Sequence, residues 1–472
     1  MRTGARLYFA ASLIAQASAL VRYVILARIL GPEELGLAAM LVLTAQFFES
    51  VSDTGADRFI VQNPEGDTPK MLGLVHMAMA LRGVMIAGAL VTTAGLVARL
   101  YTAPQIVPAL QVLAFVPLIA GLTNLDMRRA QRTGDFRPES YVTVFGELAG
   151  VAASAAAAFI VRDHTAVLYG LIVRALVMVG ASHIVSVRRY AWAYSRLEAR
   201  QFFQFAGPLA INGLFLYFGS QGDRLLVASG LGAAALGQYS AILLLIFNPT
   251  SAITRFLQGM HLPQVAAARD DANALRRQGE RLAGQSLLLA VGAAVGFAAV
   301  GPLIAPILYG KLGVQPLLIF AGLGVVQAAR LLRGWPTALA LGLGRSSEVM
   351  INNMVRVIAL PLAMVANAYW HSLNAILLGF FAGEILALLG ALWFLVRASA
   401  TPAASSVRRT LMFLLISAAT VGSAAAVQYR EYLLLALSMT ANLGLLTILM
   451  RQERATAQQA LTAIFVRLRP PA

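Results

Sequence analysis

The chain contains no cysteine, which excludes disulfides, thiolate metal sites and cysteine nucleophiles. Charge is scarce as well: Asp, Glu, Lys and Arg make up 12% of the 472 residues, against about 25% in soluble domains. Histidine is rare and scattered (His76, His164, His183, His261, His371), with no H-E-x-x-H spacing to bind a metal. There is no G-x-x-x-x-G-K-S/T loop, because Gly310-Lys311 lacks both the upstream glycine and the following Ser/Thr, so nucleotide hydrolysis by that device is excluded. Paired acids occur only at Glu33-Glu34 and Asp270-Asp271, in connections where solvated faces or helix N-termini account for them. No polar stretch is long enough to house a soluble catalytic domain, and the residues suggest neither an enzyme nor a cofactor.

What is present is apolar: 59% of residues are hydrophobic, in runs of membrane-spanning length. The expectation is an all-α polytopic membrane protein. About 14 transmembrane helices fit the hydropathy, at 7–27, 35–56, 71–98, 106–127, 139–161, 165–187, 202–227, 235–258, 284–309, 315–338, 348–369, 373–396, 410–427 and 432–450. The opening MRTGARLYFAASLIAQASALV has the basic start of a signal peptide. Its apolar stretch runs on to Ala27 and a second follows at once, so it reads as a retained first span. The longest connection, LPQVAAARDDANALRRQGERLAG, reads as a polar helical linker.

The excess of 37 Lys+Arg over 21 Asp+Glu, net +16, is explained by topology. With a cytoplasmic N-terminus, 26 of the basic residues fall on inside segments, among them Arg128, Arg129, Arg132, Arg330 and Arg333, and 5 on outside segments. One missed span would invert every later loop, so the bias supports both the count and cytoplasmic placement of both termini. Nucleic acid is not expected as a partner.

An internal repeat is visible. Leu30–Gly36, LGPEELG, returns 201 residues later as LGAAALG, Leu231–Gly237, and each stands between an odd span and the next even one. At that offset Arg22 corresponds to Asp223. A weaker echo sets Gly134-Asp135-Phe136 beside Gly344-Arg345-Ser346. Six spans per unit leave both units with the same orientation, related by an axis along the membrane normal. The expected organisation is therefore an N-terminal lobe (1–187), a cytoplasmic linker (188–201), a C-terminal lobe (202–396), two extra helices (397–450) and a cytoplasmic tail (451–472). A two-lobed bundle of this kind is expected to enclose its binding site at the lobe interface.

Six arginines fall inside the spans: Arg22, Arg82, Arg174, Arg224, Arg255 and Arg356; acids at comparable depth are Glu49, Asp53, Glu147, Asp223 and Glu384. Facing lipid, the deeper arginines 82, 174 and 356 together cost roughly 8–10 kcal/mol, so they are expected to face protein or a wet cavity. Arg224 and Arg255 lie near span ends, where snorkelling accounts for them. Cross-helix pairs of Arg82 or Arg356 with Glu147 or Glu384 offer a purely structural alternative. The functional reading is a cavity for an anionic head, because the guanidinium fork binds phosphate bidentately and stays charged when desolvated. Candidate binding residues are Arg22, Arg28, Arg82, Arg174, Arg255 and Arg356; Asp53, Glu147, Asp223 and Glu384 are candidates for ion coupling or pairing.

The stretch ARILGPEELG after a first apolar span resembles the N-terminal signature of Wzx-type polysaccharide flippases of the MATE-like (MOP) superfamily. GDRLLVASGLGAAALGQYS (Gly222–Ser240) resembles that family's span-seven segment, and GDFRPESYVTVFGELAG its entry to span five. VRYVILARILG, with Arg22 and Arg28, is similar to span one of the lipid II flippase branch, and Pro249 and Pro263 to prolines there. The resemblance implies transport of an undecaprenyl-pyrophosphate-linked oligosaccharide from the cytoplasmic leaflet, through a portal beside spans one and eight. It also implies an inner-membrane location, with the lipid tail along spans thirteen and fourteen. A polysaccharide polymerase and a chain-length regulator are the implied protein partners, beside membrane lipid. An anionic head leaving an inside-negative cell gains about 2.3 kcal/mol per charge per 100 mV, so nucleotide hydrolysis is not required. The rival readings are a MATE-type cation-coupled drug/solute antiporter, a lipid II flippase, and an enzyme, namely a polysaccharide polymerase or lipid-linked glycosyltransferase.

Overall fold

The computed structural model describes residues 2–397, 401–454 and 458; most of the expected tail, with Arg467 and Arg469, lies outside them. The described residues form helices joined by short connections. The chain divides into two compact units, Met1–Ala241 and Ile242–Ala472.

In the first unit the elements are α1 (Arg2–Ile29), α2 (Pro32–Val51), α3 (Ala56–Gln62), α4 (Pro69–Leu100), α5 (Val107–Leu113), α6 (Phe115–Ala120), α7 (Asp126–Arg132), α8 (Arg137–Ile160), α9 (Ala166–Val185) and the first part of α10 (Arg196–Ala268). The second unit holds the rest of α10, then α11 (Ala272–Tyr309), α12 (Leu317–Gly342), α13 (Ser346–Val357), α14 (Ala359–Trp370), α15 (Leu373–Arg397), α16 (Ala403–Tyr429) and α17 (Tyr432–Gln452). Twelve of the described helical stretches are long and apolar enough to cross a membrane. The count of fourteen follows because α10 is two helices joined at Gly232 (φ 86°, ψ 179°) and because the expected fourth span is the shorter stretch Pro104–Ala120.

Two expected spans are interrupted, each four residues before a proline. Proline lacks an amide hydrogen and its ring collides with the carbonyl four residues back. Pro117 stands opposite Leu113, where α5 ends, and Pro361 opposite Val357, where α13 ends. The second span stops at Val51 rather than at residue 56; Gly55, at φ 61°, turns the chain into α3. The expected linker helix is realised in two parts. α10 runs to Ala268, and Asp271 caps α11 by accepting from the amides of Asn273 and Ala274.

The unit boundary lies beyond the expected linker 188–201 because the seventh span packs on span two and the start of the eighth on span one. The Tyr217 hydroxyl donates to the Leu43 carbonyl (2.8 Å) and the Tyr23 hydroxyl to the Gly237 carbonyl (3.1 Å). Phe59, Ile60, Met71, Val75 and Phe202 build a core around α3, α4 and α10. The core of the second unit joins α11, α12, α15 and α16 through residues such as Leu287, Val291, Leu332, Leu388 and Phe413.

The repeat is written in the backbone. The paired glycines of the weaker echo, Gly134 and Gly344, both take positive φ (78° and 76°), and each donates to a carbonyl three residues back, ending the preceding helix alike. The fifth and eleventh spans also end alike, in left-handed Arg162 (φ 60°) and His371 (φ 41°).

Candidate functional site

Membrane helices approach closely where small residues face each other, and two such seams carry the charges. Between α8 and α9, Gly146 packs on Met178, Gly150 on the Arg174 side chain, and Gly170 on Ser154. Between α14 and α15, Gly379 meets Ala363 and Gly383 meets Ala359. Glu147 follows the first glycine of one seam, and Glu384 follows the last of the other.

In the first unit Glu147 is buried, and the Arg174 Nε donates to its Oε1 at 2.7 Å. Arg22 of α1 stands within electrostatic reach of both groups, and its Nη1 is buried with no hydrogen-bond partner among the described residues. Arg82 of α4 donates from Nε to the Ser52 hydroxyl (3.0 Å) and from Nη2 to the Glu49 backbone carbonyl (2.9 Å). Arg82 therefore does not pair with Glu147 or Glu384. It lines a cavity of about 340 Å³ with Glu49, Ser50 and Asp53. Asp53 accepts from the Gly55 amide and lies 3.9 Å from Arg58.

In the second unit Glu384 is fully buried and receives three arginines. Arg356 Nε donates to its Oε1 at 2.7 Å, Arg330 Nε to Oε1 at 2.9 Å and Arg333 Nε to Oε2 at 3.2 Å. Arg330 and Arg333, counted among the inside charges although they fall within the expected span 315–338, lie within α12 and turn inward, with side chains 10% and 12% exposed. Counting them with the cytoplasmic charges leaves them out of the intramembrane arginines, although they stand within the helix that runs to Gly342.

The two Arg–Glu sites are counterparts with the charges exchanged. Glu147 precedes left-handed Arg162 by fifteen residues, and Arg356 precedes left-handed His371 by fifteen. In the following helices the partners are Arg174 and Glu384. A cross-helix pair at one place in the repeat thus appears in both polarities.

The other candidates are dispersed. Arg28 and Arg255 are exposed, although both have interaction partners. Asp223, the repeat counterpart of Arg22, is fully buried and accepts from the Tyr239 hydroxyl at 3.0 Å. Arg128 of α7 bridges Asp57 and Glu139. Beside it the buried Asp126 takes hydrogen bonds from Arg129 Nε (2.5 Å) and from the amides of Val187 and Arg188. Burial alone raises the Asp126 carboxyl, but these hydrogen bonds outweigh it and hold the pKa below the usual aspartate value. This latch ties α7 to the segment after α9.

Two further cavities are apolar. One, about 570 Å³, runs between α10 and α11 past Pro249, Ile253, Gly292, Gly296 and Val300; the other, about 470 Å³, lies among Phe47, Leu96, Tyr101 and Phe218. Both suit hydrocarbon chains. The molecule thus combines buried guanidinium groups, fit for an anion, with apolar grooves, fit for a lipid tail.

Comparison with known proteins agrees with this architecture. The chain is 24% identical over 397 residues to the succinoglycan biosynthesis transport protein ExoT of Rhizobium meliloti (strain 1021), covering 80% of this chain and 76% of that one. Its fold matches the lipid II flippase MurJ in an inward closed conformation (TM-score 0.70, 11% identity, 94% of this chain and 99% of that one). It also matches an inward-facing MATE-family multidrug resistance transporter of the MOP superfamily (TM-score 0.62, 15% identity, 82% and 95%). A family model described as polysaccharide biosynthesis protein matches residues 25–312, more than half of the chain. The chain belongs to that polysaccharide biosynthesis protein family.

Proposed function

We propose that the protein translocates undecaprenyl-pyrophosphate-linked oligosaccharide units from the cytoplasmic to the periplasmic leaflet of a bacterial inner membrane by alternating access. It would thereby supply assembly of a surface polysaccharide such as O-antigen, capsule or exopolysaccharide. The observation that carries this reading is the buried arginine charge in the membrane-spanning helices of a MurJ/MATE-type fold. A guanidinium stays protonated when desolvated and suits a phosphate-bearing head. Arg22, Arg82, Arg174 and Arg356 are its proposed binding residues, and the apolar grooves serve the polyprenyl chain. The name of the R. meliloti relative, a succinoglycan transport protein, supports the saccharide class.

A transporter is favoured over an enzyme because the helices are joined by short connections that leave no room for a separate catalytic domain. Both termini are assigned to the cytoplasm, and a polymerase and chain-length regulator are the proposed downstream partners. In a deletion strain, lipid-linked oligosaccharide should accumulate on the cytoplasmic face while drug susceptibility stays unchanged. Hypersusceptibility to cationic drugs without glycan accumulation would instead support the antiporter reading.

A further inference from the structure

We infer that Arg330, Arg333, Arg356 and Glu384 form a pyrophosphate-binding site in the second unit, in which the Glu384 carboxylate holds the guanidinium groups until the anion displaces it. The inference rests on the proposed function for its ligand; its location and its members follow from the geometry.

Charge is the first ground. One carboxylate balances one guanidinium, and Arg333 and Arg356 alone already exceed it; both have side chains nearly nine-tenths buried, and Glu384 is wholly so. A purely structural ion pair in an apolar interior needs only one arginine per acid. Surplus positive charge at membrane depth is costly unless an anion visits it.

Geometry is the second. Arg330 and Arg333 come from α12, Arg356 from α13 and Glu384 from α15, and each arginine offers its Nε to the same carboxylate. Three guanidinium groups focused on one two-oxygen anion are an arrangement that a phosphate group can also take. The third ground is the backbone: α13 ends at Val357, next to Arg356, because of Pro361. Interrupted helices near the middle of the bilayer are where transporters of this general build place binding sites.

Displacement gives the site two states. With no ligand the carboxylate neutralises part of the cluster; with pyrophosphate bound, Glu384 is released from the guanidinium groups. The site therefore binds an anion and lets it go, as a transporter requires.

The test uses the full-length protein in lipid nanodiscs with three probes: undecaprenyl pyrophosphate, undecaprenol and inorganic pyrophosphate. Wild type is expected to bind undecaprenyl pyrophosphate in preference to undecaprenol, and inorganic pyrophosphate is expected to compete. Arg333→Gln is expected to weaken binding about tenfold or more, the loss of one charge-assisted contact, whereas Arg333→Lys keeps most of it. Glu384→Gln is expected to bind severalfold more tightly. Arg333→Gln and Glu384→Gln that fold, whatever their melting temperature, and bind as wild type overturn the site and leave the proposed function standing. If Arg333→Gln does not fold, unchanged affinity in Glu384→Gln decides against the site. Wild-type protein that does not distinguish undecaprenyl pyrophosphate from undecaprenol overturns the proposed function, and the site with it.

Discussion

Gly36 lies against the carbonyl oxygen of Ala233, and 201 residues along the repeat Gly237 lies against the carbonyl of Pro32. Each glycine therefore touches the repeat counterpart of the other's partner. Such reciprocity is what a two-fold relation between duplicated helix starts produces. Neither position has room for a side chain, since a methyl on either would overlap the facing backbone. Gly36→Val is expected to cost about 3 kcal/mol by overpacking, seen as a lower melting temperature and less protein in the membrane. Gly88→Ala, where nothing stands within 4 Å, is expected to leave both unchanged.

The exchanged polarity of the two Arg–Glu sites makes a second prediction. Removing one member of a buried pair costs about 3–5 kcal/mol because the other charge is left uncompensated. The Arg174 side chain is 35% exposed, so solvent screens part of that cost, and Glu147→Gln should destabilise the protein measurably but by less than that. The double reversal Glu147→Arg with Arg174→Glu should recover more than half of the lost stability, since the second unit already carries that polarity. Thermal melting of the single and double variants checks this; a double variant no better than the single contradicts it.

The Asp126 latch gives a pH dependence. Its carboxyl is held below the ordinary aspartate value, with burial opposing and the hydrogen bonds from Arg129, Arg188 and Val187 prevailing. The unfolded chain therefore binds the proton more tightly, and stability from this group is present above the unfolded pKa of about 3.9. It is lost as pH falls through the lower folded value. Asp126→Asn should melt lower than wild type at pH 7, and the gap should close as the pH is lowered through 4. A gap independent of pH counts against this account.

Much of the architecture was legible because it follows from hydropathy and charge placement. The apolar runs mark the helices, and the L-G-x-x-x-L-G echo marks the Gly36 and Gly237 contacts. Glu384 was legible as an intramembrane acid, with Arg82 and Arg356 both open as its partner; the structure pairs it with Arg356. What escaped were features that depend on helix length and neighbours. Arg330 and Arg333 fall within the expected span 315–338 yet count with the cytoplasmic charges, because position near a span end does not report which way a side chain turns or that it meets Glu384. Arg174 rather than Arg82 meets Glu147 because the glycines of α8 and α9 bring those helices together, and hydropathy does not report which helices are adjacent. The breaks at Leu113 and Val357 were present in the sequence as Pro117 and Pro361, but the apolar pattern runs straight through both.

Arg22 and Arg82 carry the functional prediction in the first unit. Arg22→Ala or Arg82→Ala should abolish surface polysaccharide while the protein stays in the membrane at its normal level. Full glycan production by the expressed double variant would defeat their assignment.

Direct transport is the most decisive measurement. Full-length protein in proteoliposomes is given an undecaprenyl-pyrophosphate-linked oligosaccharide bearing a fluorophore on the sugar, with a membrane-impermeant quencher outside. Flipping should expose the protected half of the fluorophore to the quencher with wild-type protein, and far more slowly with the Arg22→Ala, Arg82→Ala double variant. Quenching with wild type no faster than in protein-free liposomes would contradict the account.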